Sequence, residues 1–395
     1  MKNLLKVDQS EDSLGSGGVS SPMGPKRRLV DVSAAQNNLG FMYANGQGVE
    51  KDFDEALKWY EKAALQGGST SQMNLGVMFA NGQGVPLDPN QSLKYFQQAA
   101  NHGSADAQYS LGVMYSNGRG VVQDYEAALQ WYTKAAAAGH MRSQLNLGLM
   151  FANAQGVVKD HKKAYRWFLS AAELGDSVAQ YNVGVLYNLG QGIPQNYELA
   201  LHWYQLAAEQ GDAYAQSNLA LMFHNGQGTK QNFDLAHKWY MQAANQGDAY
   251  GQFNLGVLYV NGQGVERDFS VALDWYRLAA AQGDAAAQHG IGLMYQLGNG
   301  VAQDNVQALK WFKVSAEQGF ASAQVDLGWL YANGEGVLQD FLRAHMWFNI
   351  GSALGSQSAL SGRDFVAKQM TAQQIADAQK MARECTDQIF KEIDS

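Results

Sequence analysis

Paired glycines, histidines and one cysteine are the residues of this 395-residue chain whose types and spacing could do chemistry. "FMYANGQGV" at 41–49, "VMFANGQGV" at 77–85 and "VMYSNGRGV" at 113–121 each set Gly-x-Gly after an apolar run, an arrangement that can cradle a phosphate. A dinucleotide fingerprint follows a strand and occurs once. Here the preceding segment has helical spacing and the turn returns every 36 residues, so the glycines read as architecture. The eight histidines are His102, His140, His161, His202, His224, His237, His289 and His345, and none pairs at His-Glu-x-x-His spacing. His237 and His345 share the column of Leu57, which places them half-buried on a helix; a metal needs several converging ligands. No serine sits in Gly-x-Ser-x-Gly. Cys385 is the single cysteine, so a disulfide framework and a cysteine zinc site are excluded within one chain. The expectation is no catalytic residue, no metal and no cofactor.

Composition narrows the function classes further. The net charge is -8, from 28 Lys+Arg and 36 Asp+Glu, with no basic block in the folded part, which argues against nucleic acid as a partner. No stretch approaches the ~18 apolar residues of a membrane span. The first residues, "MKNLLKVDQSEDSLGSGG", lack the longer apolar core of a signal peptide. The chain as written is expected in the cytoplasm, and exported if a leader has been removed.

What positions these residues is a repeat. Gln36 returns as Gln72, Gln108, Gln144, Gln180, Gln216, Gln252, Gln288 and Gln324, nine copies without insertion or deletion. Each copy reads as two helices. In the first copy, Ala35, Leu39, Met42 and Tyr43 form the inner stripe of helix A, over roughly 34–44. Gly40 falls inside that helix, where glycine costs about 1 kcal/mol against alanine, so close contact with the second helix is expected. "NGQGV" then supplies a C-cap and tight turn. Asp52, with Asp or Asn at the same place in every copy, caps helix B, whose inner stripe is Phe53, Ala56, Leu57, Tyr60 and Ala64. Ala154 replaces the first turn glycine in the fourth copy, and Leu189 and Leu297 replace the turn asparagine in the fifth and eighth; tilted turns are expected there.

The unit A-x-A-Q-x-N-L-G-x-M-Y-x-N-G-Q-G-V-x-x-D-x-x-x-A-L-x-W-Y-x-x-A-A-x-Q-G-D resembles the Sel1-like repeat family over residues 33–356. The resemblance implies an all-α, right-handed α/α superhelical solenoid related to tetratricopeptide repeats, with helix A on the concave side. It also implies a scaffold or adaptor that binds other proteins. Secreted members staple each repeat with a disulfide; this chain lacks those cysteines, so exported character and penicillin binding are not carried over.

The two ends differ from the repeats. Residues 1–32 read as a flexible tail with a "GSGG" linker at 15–18, one short basic run in "SPMGPKRRLV" at 21–30 and an internal methionine, Met23. Residues 357–395 read as a helical cap that covers the last repeat, as a solenoid end requires. Within it Thr371 and Gln374 form a capping box, and Ile375, Ala378, Gln379, Ala382 and Ile389 share a face.

Helix A leaves a second face at positions 37, 38, 41, 44 and 45. Position 38 is nearly constant, with Asn38, Asn74, Asn146, Asn182, Asn218 and Asn254. Position 37 varies and includes Tyr109, Tyr181 and Phe253; position 41 stays apolar and ends in Trp329. The expectation is a groove in which the asparagines hold the backbone of an extended peptide and the aromatics anchor its side chains. Asparagines that bridge adjacent repeats, and a core role for position 41, are the structural alternatives. An enzyme or small-molecule site in the same groove is the functional one.

Overall fold

The computed structural model describes residues 32–393, with side chains as far as Thr386. Residues 1–31 of the tail, with its linker and basic run, and the Ile389 side chain lie outside the described residues, and Val32, assigned to the tail, opens the first helix instead. Among the described residues every element is a helix. Repeats one to three are α1 (Val32–Asn45) with α2 (Phe53–Leu65), α3 (Ser69–Asn81) with α4 (Pro89–Asn101), and α5 (Ala105–Asn117) with α6 (Tyr125–Ala137). Repeats four to six are α7 (Met141–Asn153) with α8 (His161–Glu173), α9 (Ser177–Leu189) with α10 (Tyr197–Glu209), and α11 (Ala213–Asn225) with α12 (Phe233–Asn245). Repeats seven to nine are α13 (Ala249–Asn261) with α14 (Phe269–Ala281), α15 (Ala285–Leu297) with α16 (Asn305–Glu317), and α17 (Ala321–Asn333) with α18 (Phe341–Ala353). Then come α19 (Gln357–Ala367) and α20 (Ala372–Ile393). The repeat pattern alone offers no break, but the contacts divide the chain into two compact units, one ending at Gln210 and one beginning at Gly211.

Local sequence sets the helix ends. Asp52 Oδ1 accepts from the backbone N–H of Asp54 at 2.9 Å and of Glu55 at 3.0 Å, filling two of the donors a helix start leaves open. Gly82 closes α3 in the left-handed region at φ 66°. The expectation of tilted turns is not met. Ala154 keeps the same left-handed geometry, at φ 60° and ψ 35°, while Gly190 and Gly298 follow Leu189 and Leu297 at φ 67° and 70°. Ala154 is the one non-glycine residue at positive φ among those described, and its Cβ costs about 1–2 kcal/mol there.

In eight of the nine repeats the glycine of helix A meets a ring of helix B. A Cβ at Gly40 would lie 2.6 Å from the Tyr60 ring, and one at Gly184 2.6 Å from Tyr204. The same contact joins Gly76 to Phe96, Gly112 to Tyr132 and Gly148 to Phe168. This confirms the close approach expected from a helix-interior glycine; Ala220 stands at that position in the sixth copy.

Between repeats the glutamine column does the joining. Gln72 Nε2 donates to the Ala64 carbonyl at 3.3 Å, and Gln180 to Ala172 and Gln324 to Ala316 do the same at 3.2 and 3.1 Å. The glutamine oxygen accepts from a side chain 30 residues on: from Gln210 to Gln180 at 2.7 Å and from Gln318 to Gln288 at 2.6 Å. Where that later position is Ala138, Leu174 or Leu354, the oxygens of Gln108, Gln144 and Gln324 are buried without a partner. Leu75, Leu111 and Leu147 are fully buried at these junctions, whereas Leu39 in α1, with no repeat before it among the described residues, is 37% exposed.

The cap begins with a helix the sequence reading did not separate. Helix α19 repeats helix A in part: Ala359 and Val366 are fully buried, and Gly362 approaches the Phe348 ring. The capping box forms as expected, with Thr371 N–H donating to Gln374 Oε1 at 2.8 Å and Gln374 N–H to Thr371 Oγ1 at 3.3 Å. From α20, Ala382, Met381 and Cys385 pack on Met346, Trp347 and Ile350. His345, which replaces leucine in its column, is buried here, its Nδ1 has no partner, and burial lowers its pKa, with Arg363 lowering it further against Asp364.

Three outcomes follow from this packing. Leu174→Gln supplies the missing donor to Gln144 and should raise stability by about 1 kcal/mol, while Gln318→Leu strands Gln288 and should cost about 1–3 kcal/mol, both read from denaturant midpoints. Ala154→Gly should stabilise by up to about 1 kcal/mol, the relieved strain being partly offset by the greater freedom of unfolded glycine; an unchanged midpoint would contradict the strain. His345 has a folded pKa below its unfolded value of roughly 6.5, so its contribution is present above that pH and lost as pH falls below it. Melting temperature should therefore drop between pH 7.5 and 5.5, and His345→Leu should flatten that drop.

Candidate partner-binding face

The helix A surface directed away from helix B is built from columns one turn apart. In the asparagine column, most amides are already used. Asn182, Asn218 and Asn254 donate to the carbonyls four residues earlier, of Val178, Tyr214 and Tyr250, at 3.0, 2.9 and 2.8 Å. Asn74 donates to Asn37 Oδ1 in the preceding repeat at 3.0 Å. Asn38 is exposed and Asn146 half-buried. Asn182 is fully buried and cannot hold a partner's backbone.

The aromatic column is corrected by the structure. Tyr109 and Tyr181 are 9% and 4% exposed and lie on the helix B rings of Tyr132 and Tyr204 at centroid distances of 5.9 and 5.8 Å. Phe253 stacks on Tyr276 at 5.7 Å in the same way and is half-buried. They are core residues: position 37 lies one turn before the helix A glycine, on the side that receives the ring. Trp329 is half-buried between Phe348 and Phe365, tied to the cap rather than presented to a partner.

The face that is presented runs through position 34 and its repeats, which the sequence reading passed over. It carries Asp106, Arg142, Val178, Tyr214 and Tyr250, with Tyr214 50% exposed. A stripe drawn at four-residue steps back from the asparagines would have found it. Only three charged residues stand on the nine A helices: Asp106, Arg142 and Asp326. His140 Nε2 holds Asp106 at 3.4 Å and keeps its carboxyl below the usual range, and His289 Nε2 meets Asp326 at 2.7 Å. Arg142 lines a cleft of about 200 Å³ between the third and fourth repeats, with Asn146 beside it.

Titration behaviour follows burial. The Tyr60 hydroxyl is pushed up to about 12, and those of Tyr204, Tyr240 and Tyr276 are raised by the same cause. These groups come one per repeat at the same helix B position, so they are spread along the chain rather than gathered at one place. Among the described residues no three His, Cys, Asp or Glu side chains converge as a metal site would require, and no helix is long and apolar enough to cross a membrane.

The geometry agrees with comparison to known proteins. Nine consecutive Sel1 repeats match, at residues 33–68, 69–104, 105–140, 142–176, 177–212, 213–248, 249–284, 285–320 and 321–356. The crystal structure of a protective antigen present in uropathogenic Escherichia coli strains is similar at 33% identity and TM-score 0.65, over 91% of this chain and 85% of that one. A Sel1 repeat protein from Oxalobacter formigenes is similar at 30% identity and TM-score 0.60, over 86% of this chain and 96% of that one. A search of curated proteins finds no match. With its repeats matched in register from residue 33 to residue 356, the chain belongs to the Sel1 repeat family.

Proposed function

We propose that the chain is an interaction scaffold whose helix A face binds an extended segment of another protein. Sel1-repeat proteins are generally scaffolds of protein interaction. The observation that carries the finer reading is the character of the face: nearly uncharged, rich in amides and, in the second unit, furnished with Tyr214 and Tyr250 one repeat apart. Neutral amides match the peptide backbone, whose N–H and C=O groups need partners wherever they leave water. Polyanions such as nucleic acid find almost no cations there.

Tyr214 and Tyr250 take the anchoring role in place of Tyr109, Tyr181 and Phe253. Two rotatable bonds let a tyrosine cover apolar surface at small entropic cost; Tyr214 is the exposed one, and Tyr250 is half-buried, its hydroxyl's pKa raised by burial. Asn218, half-buried beside Tyr214, has one amide N–H on the Tyr214 carbonyl and keeps a second N–H and its oxygen for a partner.

Peptides selected from a random displayed library against the whole chain test this directly. Tyr214→Ala with Tyr250→Ala should weaken the selected peptides at least tenfold, and Asn218→Ala about fivefold, with melting temperatures close to the parent. A library that yields no binder, or binders indifferent to these changes, would sink the reading.

A further inference from the structure

The cleft between α5 and α7 differs from the rest of the helix A face. Val113, Leu145, Leu149 and Met150, each at most 5% exposed, form its apolar floor, and Ser116, Asn117, Tyr125 and Gln155 add polar groups to its walls. At its edge stand Arg142 and Asn146, four residues apart and so one above the other on α7. Arg142 is exposed and has no ion-pair partner among the described residues. The acidic residue of its own column one repeat earlier, Asp106, is engaged by His140 instead. Asn146, like the exposed Asn38 of the first repeat, makes no hydrogen bond among the described residues. Asn74, Asn182, Asn218 and Asn254 all donate to a protein oxygen. Two unengaged donors, one of them cationic, therefore border one apolar floor.

We infer that this cleft is a specificity subsite that takes an aspartate or glutamate side chain of the bound segment together with an adjacent apolar side chain; it rests on the scaffold reading above. The Arg142 guanidinium, donor-only and unpaired, selects an acceptor group, and its fork matches the two oxygens of a carboxylate. The volume of about 200 Å³ is below that of a typical small-molecule pocket and suits an acidic side chain with a small apolar neighbour. Helix A surfaces continue on both sides of the cleft within the first unit, on α3 and α9, so the bound chain passes through and presents an internal acidic residue rather than its end. The free carboxylate neighbour is absent by arrangement: His140 holds Asp106, which leaves the Arg142 charge for the partner.

The same displayed library tests this separately from the scaffold reading. Winning peptides should carry Asp or Glu next to an apolar residue. For one such synthetic peptide, Arg142→Gln and replacement of the peptide's acid by its amide should each lower affinity about tenfold. Making both changes should lose little more than either alone, because they remove one interaction. Asn146→Ala should cost about fivefold, and none of these variants should shift the melting temperature, since Arg142 is exposed. Winning peptides without an acidic preference, or an affinity untouched by Arg142→Gln, overturn the subsite and leave the scaffold standing. A library that gives no binder overturns both.

Discussion

Eight of the nine repeats depend on one close contact, a helix A glycine beneath a helix B ring. At Gly40, Gly184 and Gly256 a Cβ would come within 2.6 Å of the facing tyrosine ring, so the two helices approach as far as side-chain volume permits. A glycine inside a helix costs about 1 kcal/mol, and the buried ring offsets that through its apolar area. The contact also dictates what lies beside it. Residues one turn earlier on helix A, such as Tyr109 and Tyr181, are drawn onto the same ring and into the core. The exposed residues of helix A consequently shift toward position 34, where Asp106, Arg142 and Tyr214 stand exposed.

Polar groups divide between holding the repeats together and facing outward. Glutamines of helix A donate to the last carbonyls of the preceding helix B, which a helix end leaves unfilled, and accept from the residue that closes their own helix B. Three junctions lack the second half of this exchange, and their oxygens are orphaned. Native repeats thus carry unused stability, as proteins selected only to exceed a threshold do. Asn182, Asn218 and Asn254 do something different and fold back on their own helix, while Asn146 makes no hydrogen bond among the described residues.

Charge follows the same division. The A helices carry three charged residues, two of them contacted by a histidine from the same or the preceding repeat, while most of the chain's charge lies elsewhere. A face without charge can be covered without burying unpaired ions, whose desolvation is costly. Arg142 is the exception, the one charge of these helices without an ion-pair partner among the described residues.

Much of this was legible in the residues alone. The period, both helices of every repeat, the Asp52 cap, the Gly40 contact and the Thr371 capping box all follow from local rules of spacing and backbone geometry, which act within a few residues. What needed tertiary structure was which side of helix A faces outward. Spacing separates a helix into stripes but does not say which neighbour covers each, and the ring that buries Tyr181 comes from a helix 20 residues later. The left-handed turn at Ala154, the orphaned glutamine oxygens and the position of α19 on Phe348 depended likewise on contacts between distant segments. So did Arg142: its sequence neighbours reveal a cation on a helix, and only the fold sets it beside an empty amide over an apolar floor.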